Sequence, residues 1–178
     1  MTRYIAFLRA INVGGHVVKM TALKAHFEAL GLAHVETFIA SGNVIFTSPA
    51  KAATLAPRIE ARLRAALGYD VRTFLRTDAE VAGIAAYLPW PAPAMEAARS
   101  VSVGFLAEPL SPAGRKALLA HRSEVDDFHA RGREIFWKLL VGQADSRFSN
   151  VALEKTVGQA STFRNVNTVR RLAAKYPP

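Results

Sequence analysis

Cysteine is absent from the chain, and with it go disulfides, thiol nucleophiles, iron–sulfur clusters and thiolate zinc sites. Long apolar runs are absent too: none reaches the roughly 18 residues of a membrane span. The opening Met-Thr-Arg-Tyr-Ile-Ala-Phe-Leu is cut by Arg9 before a signal-peptide apolar region forms. A cytoplasmic protein with no membrane partner is expected. The five histidines, at 16, 26, 34, 121 and 129, lack any zinc spacing. Walker, dinucleotide and nucleophile-elbow glycine patterns are missing. Asp126 and Asp127 are adjacent, so on a strand they face opposite ways and form no catalytic pair. Asp127 and His129 share a face and read as a polar hairpin pair rather than as metal ligands. No metal and no cofactor are expected.

Positive charge, by contrast, is plentiful: +9 at pH 7 over 178 residues, with a pI near 10.4. Such a balance invites a nucleic-acid partner. The excess is uneven. Residues 147–178 hold six basic residues against the single acid Glu154, whereas residues 91–146 balance at seven and seven. A GC-rich genome, with its free use of alanine and arginine, is an equal explanation. An RNA-recognition sheet also needs stacking aromatics on its third strand. That stretch reads Ser-Gly-Asn-Val-Ile-Phe, with Phe46 alone.

Hydrophobic residues make up 51% of the chain, enough for one core or two small ones. Residues 3–9 read as a strand apolar on both faces. Thr21 is the expected cap of a helix with Leu23, Phe27 and Leu30 on one side, stopped by Gly31. Strands at 34–40 and 44–47 flank the turn Ser41-Gly42-Asn43. A helix over 51–67 stops at Gly68, a strand covers 71–76, and Asp78 caps a helix to Tyr87. After the proline-rich Pro89-Trp-Pro-Ala-Pro93, expected to be stiff and extended, the order restarts. Strand 101–107, a helix from Ser111-Pro112, and a hairpin 125–130/134–139 come first. A helix 149–157, strand 161–164 and a helix capped by Asn167 complete it.

The order βαββαβα thus occurs twice. The ends share letters, Arg72-Thr-Phe-Leu-Arg-Thr-Asp against Ser161-Thr-Phe-Arg-Asn-Val-Asn. The expected fold class is α+β: two tandem ferredoxin-like (βαββαβ) subdomains, each with an appended helix. They span 1–88 and 100–178, about a linker at 89–99.

In this topology the loop from Asn12 to Lys19 and the turn at 41–43 leave the sheet at one edge. Sheet order 4-1-3-2 sets the third strand beside the first. Arg9, Asn12, Gly14, Gly15, Lys19, Ser41 and Asn43 are therefore expected to converge on an anion. Arg164 and Asn165 are expected to complete that site if the halves pack antiparallel. His16 is the one candidate general base. A permissive Gly-Gly turn beside an ordinary hairpin is the reading that needs no ligand.

Four stretches carry a family resemblance: Phe7-Leu-Arg-Ala-Ile-Asn-Val-Gly-Gly-His16 with Lys19-Met20, Phe38-Ile-Ala-Ser-Gly-Asn-Val-Ile-Phe46, Leu153-Glu-Lys155, and Thr162-Phe-Arg-Asn-Val-Asn-Thr168. Together they resemble bacterial domain-of-unknown-function family 1697 over nearly the whole chain. The resemblance implies a compact protein of two α/β subdomains and brings no activity, substrate or cofactor. The chain departs from it at Ala10, where glycine is common, and at Phe163, where a smaller residue is usual. The leading expectation is a protein binding a phosphate- or carboxylate-bearing, nucleotide-like ligand, as a monomer or weak dimer. The alternatives are an acyl- or phosphoryl-transfer enzyme with the Gly-Gly loop as oxyanion cradle, and a nucleic-acid-binding or assembly module.

Overall fold

The structure, a computed structural model, describes residues 1–12 and 14–178. Among these, the fold is mixed α+β, with two four-stranded antiparallel sheets and seven α-helices, consistent with two tandem ferredoxin-like halves. Its contacts divide the chain into two compact units, Met1–Gly83 with Leu172–Pro178, and Ile84–Arg171. The expected boundaries put 172–178 with the second half. The chain instead passes between units inside two helices, because the last residues find their partners in the first unit.

In the first unit the strands are β1 (Thr2–Leu8), β2 (Ala33–Phe38), β3 (Asn43–Ser48) and β4 (Thr73–Thr77), in the order β2-β3-β1-β4. Tyr4, Ala6 and Leu8 of β1 pack on the helix side with Val44, Phe46 and Leu75. That core is closed by Leu23 and Phe27 of α1 (Met20–Glu28) and by Leu55, Ile59 and Leu63 of α2 (Ala52–Leu67). Both helices bury one stripe at helical spacing, as their sequence spacing predicts. Ile5 and Phe7, on the other face of β1, are buried as well.

The second unit repeats the order. Strands β5 (Ser100–Leu106), β6 (Asp126–Arg131), β7 (Glu134–Leu139) and β8 (Ser161–Asn165) run β6-β7-β5-β8. Helices α5 (Pro112–Leu119) and α6 (Asn150–Val157) supply Leu118 and Leu153 to its core. Registers coincide between the units. Ile5 stands between Ile45 and Arg76, and Val103 between Phe136 and Arg164. Each of these arginines is buried and donates from Nη1 to the preceding carbonyl, Leu75 O at 2.9 Å and Phe163 O at 2.8 Å. Glu60 accepts from the Thr73 amide at 2.8 Å, and Glu154 from the Ser161 amide at 2.9 Å. By this register the shared letters Thr-Phe lie one position apart, whereas the arginines match.

Several caps differ from expectation. Helix α1 starts at Met20 after an extended Lys19 with no side-chain cap, so Thr21 lies inside it. Helix α3 (Asp78–Ala86) is opened by a reciprocal pair: Glu80 N donates to Thr77 Oγ1 at 3.1 Å, and Thr77 N to Glu80 Oε2 at 2.8 Å. That is a capping box, and Thr77-x-x-Glu80 is its sequence signature. Asn165, not Asn167, caps α7 (Val166–Lys175), accepting from the Asn167 amide at 2.9 Å. Within the expected stiff linker, Ala92–Glu96 forms the short helix α4, since prolines 91 and 93 at its start preset helical φ.

At its far end α7 belongs to the first unit. Tyr176 Oη donates to Glu36 Oε2 at 2.7 Å, Lys175 Nζ lies 3.3 Å from the same oxygen, and Arg3 Nη1 donates to Pro177 O at 2.7 Å. The Tyr176 hydrogen bond, followed by Lys175, lowers the Glu36 pKa. A lowered carboxylate pKa gives stability that is present above the unfolded value and lost as pH falls through the folded one. Tyr176→Phe is expected to cost about 1 kcal/mol and to return Glu36 toward the ordinary carboxylate range. Urea unfolding and a carboxylate NMR titration check both; an unmoved Glu36 pKa contradicts the assignment.

Candidate functional site

The end of β1 is pinned to the β2–β3 turn. Leu8 N donates to Gly42 O at 2.9 Å, and Phe7 pairs with Asn43. Arg9, half-buried, donates its amide to Arg72 O at 2.9 Å. The backbone then turns left-handed at Ala10, φ 58°, a conformation that favours glycine. This accounts for the departure there: alanine accepts the same bend at a cost. Ile11 drops into the core, and its Cγ2 lies 2.5 Å from where a Cβ on Gly42 would stand. The loop reaches the turn only because residue 42 has no side chain.

Asn12 fastens the loop at two points. Its Oδ1 accepts from Val18 N at 2.7 Å, and its Nδ2 donates to Ala40 O at 2.9 Å. Asn43, fully buried, donates from Nδ2 to Phe38 O and to Ser41 Oγ, both at 2.9 Å. Ile39 in the same turn takes φ 52°, strained for a β-branched residue. Tyr69 Oη donates to Ile11 O at 3.1 Å, and the His16 ring stacks on Tyr69 at 3.9 Å.

Residues thirty positions apart therefore do come together in the first unit: Arg9, Asn12, Ser41 and Asn43. The two asparagines and the serine direct hydrogen bonds inward and shape the loop. Gly14, Gly15, His16 and Lys19 are exposed. Both glycines have positive φ, 64° and 87°, and nothing lies within 4 Å of where their side chains would start. Val13 lies outside the described residues. The loop leads into α1, whose opening turn has no side-chain cap. Chemically the edge offers exposed glycine backbone, one lysine and one imidazole.

Arg164 and Asn165 serve their own unit. Arg164 donates to Thr162 Oγ1 at 2.9 Å as well as to Phe163 O, and burial pushes its pKa down to about 10. Strand alternation puts its side chain on the face opposite Phe163. Phe163 in turn rests on Gly104, its ring atoms 2.5 Å from a notional Cβ there. Register matches this pair to Ala6–Leu75, so the larger Phe163 is offset by the smaller glycine.

The sequence left one cluster unassembled. Tyr87 and Trp90, from the segment after α3, lie on the Asp127–His129 face of β6. Tyr87 Oη is 2.6 Å from His129 Nε2, and Trp90 Nε1 donates to Asp127 Oδ2 at 2.7 Å. Arg122 Nε is 2.7 Å and Lys138 Nζ 3.6 Å from the same carboxylate. A cavity of ≈ 500 Å³ opens beside Trp90, Arg122, His129 and Lys138. Burial first, then Arg115, Arg122 and Arg131, lower the His129 pKa, with Asp127 acting against them. Alternation signalled the Asp127–His129 pair; nothing local signalled that Tyr87 and Trp90 would fold onto it. Among the described residues no group of three or more His, Asp or Glu side chains could hold a metal ion, and no helix is long and apolar enough to cross a membrane.

Residues 1–136 match a family described as "Protein of unknown function (DUF1697)". No curated protein matches the chain. A solved structure, described as that of conserved bacterial protein SP0830 from Streptococcus pneumoniae, is similar at 25% identity and a TM-score of 0.73. The similarity covers 100% of this chain and 99% of that one.

Two outcomes are expected from this geometry. Gly42→Ala meets both a positive φ of 78° and Ile11, and is expected to cost more than about 2 kcal/mol. Gly15→Ala, in open space, should cost only about 1 kcal/mol. Equal losses in urea unfolding would contradict the packing described. Separately, a lowered histidine pKa means that the unfolded chain takes the proton more readily. Stability is then full above about pH 6.5 and falls on acidification. His129→Gln should flatten that acid limb, read as Tm against pH; an unchanged slope removes His129 as its source.

Proposed function

This chain belongs to the DUF1697 family of proteins of unknown function, and we propose that it binds a small phosphate- or carboxylate-bearing, nucleotide-like ligand at the loop joining β1 to α1. The observation that carries the reading is the double fastening of that loop by Asn12 to Val18 and to Ala40. It presents Gly14 and Gly15 outward beside Lys19 and the uncapped start of α1. Backbone amides in a glycine turn and a helix start favour negative charge. Asn12, Ser41 and Asn43 act in this reading as positioning residues. Arg9 supplies charge at the base, and Gly14, Gly15 and Lys19 meet the ligand.

The stack of His16 on Tyr69 supports a second reading, in which the loop cradles an oxyanion in acyl or phosphoryl transfer with His16 as base. The two units are further proposed to be copies of one ferredoxin-like βαββαβα ancestor, supported by the matched positions of Arg76 with Arg164 and of Glu60 with Glu154. A cysteine-free composition fits a cytoplasmic monomer or weak dimer.

Amide NMR titration of the full chain with inorganic phosphate, acetate and AMP tests the binding. Saturable shifts are expected across residues 14–19, weakened about five- to tenfold in Lys19→Ala, the loss of one charge-assisted contact. Unmoved amides with all three probes at millimolar concentration overturn it. Binding that survives His16→Ala while turnover disappears would establish the catalytic reading.

A further inference from the structure

We propose that the β6 edge of the second sheet, where Tyr87 and Trp90 lie among Arg122, Arg131 and Lys138, binds single-stranded nucleic acid. The inference is independent of the glycine loop, since every residue it uses belongs to Ile84–Arg171.

Rings and cations alternate along this edge. The Arg131 guanidinium lies 4.2 Å from the Tyr87 ring centroid, and Lys138 Nζ 4.9 Å from that of Trp90. His129 sits between them, 5.6 Å from Tyr87 and 6.4 Å from Trp90. Arg131 is exposed, so a base can extend the Tyr87–Arg131 stack on its outer side. Guanidinium planes and aromatic faces are the surfaces on which unpaired bases stack. Bases already stacked within a duplex do not offer this, which selects a single strand.

The two aspartates at this edge are engaged by their own neighbours. Asp127 accepts from Trp90, Arg122 and the Phe128 amide. Asp126 likewise accepts from Trp137, Ser146 and Ser123. Arg122 stands against Asp127, Arg131 against the Tyr87 ring and Lys138 against the Trp90 ring, so three cations lie among these side chains. The adjoining cavity of ≈ 500 Å³, lined by Trp90, Arg122, His129 and Lys138 and also by the acids Glu124, Asp126 and Asp127, has the size of a small-ligand site. Val103, Phe105 and Phe136 on the sheet face are at most 1% exposed. Binding therefore runs along the edge and not over a sheet platform.

Intrinsic fluorescence gives a direct readout. The chain has two tryptophans, and Trp137 is buried and bonded to Asp126, so quenching by added strand reports Trp90. Full-length protein is titrated with fluorescein-labelled 12-mers of uridine and of thymidine, with a duplex of equal length, and with heparin. Anisotropy and indole emission are followed from 50 to 200 mM salt. The expected result is indole quenching by both single strands, weaker binding of duplex, and affinity falling linearly in log–log with salt. Arg131→Ala should weaken binding about tenfold with Tm unchanged, and Trp90→Phe should abolish the quench. The proposal is overturned by absence of binding at 50 mM salt, or by affinity retained in Arg131→Ala. Heparin competing equally without any quench also overturns it, in favour of a generic polyanion surface.

Discussion

Ile5 and Phe7 are buried on one side of β1, and Tyr4, Ala6 and Leu8 on the other. A strand with no exposed side cannot slip by one residue without moving every side chain to the opposite face. Its neighbours are thereby held in register: Phe7 against Asn43 and Phe74, Leu8 against Thr73. Because β3 begins at Asn43, this pairing brings the β2–β3 turn to the point where β1 releases the chain. Strand β5 repeats the arrangement, with Val103 and Phe105 buried and Leu106 N bonded to Arg133 O at 2.9 Å. In both units the position of the hairpin turn relative to the first strand follows from the burial of that strand.

Most of the fold was legible because its signals are local. Glycines 68 and 158 end helices in the left-handed conformation, as a residue without Cβ permits. Ser111 caps α5, and Ser149 caps α6. Period-two and helical spacings located the strands and the apolar stripes. The caps that depart from expectation are set by competition between neighbours. Thr77 caps α3 in place of Asp78 because Glu80 reciprocates, and Asn165 caps α7 in place of Asn167. The Thr-Phe match at the unit ends was a coincidence of letters. The equivalence that register reveals, Arg76 with Arg164, rests on strand pairing and has no mark in the string.

The candidate edge was legible as a convergence and illegible as chemistry. Topology alone brings Asn12 toward Ser41 and Asn43. It does not say which way an amide points, and these amides point inward, to Ala40 O and Phe38 O. The donors that look most like ligands in the sequence thus shape the loop, whereas glycines without side chains form its outer surface. The Tyr87–Trp90 cluster was harder still. It needs a connector to fold back onto a hairpin some forty residues later, a contact for which no periodicity exists. Its hydrogen bonds to His129 and Asp127 fix it once formed.

The passage of the chain between units inside α3 and α7 bears on the order in which the protein is made. Glu36 leaves the ribosome long before Tyr176, 140 positions later, so the hydrogen bond between them cannot form until the C-terminal residues are made. The second unit, running without interruption from Ile84 to Arg171, has all its residues before the first does. The earlier half of the gene is thus finished last. Its late contact spans a long loop, whose closure cost rises only logarithmically with length but which raises the mean sequence separation that slows folding. A nascent chain halted short of Tyr176 lacks the hydroxyl that donates to Glu36.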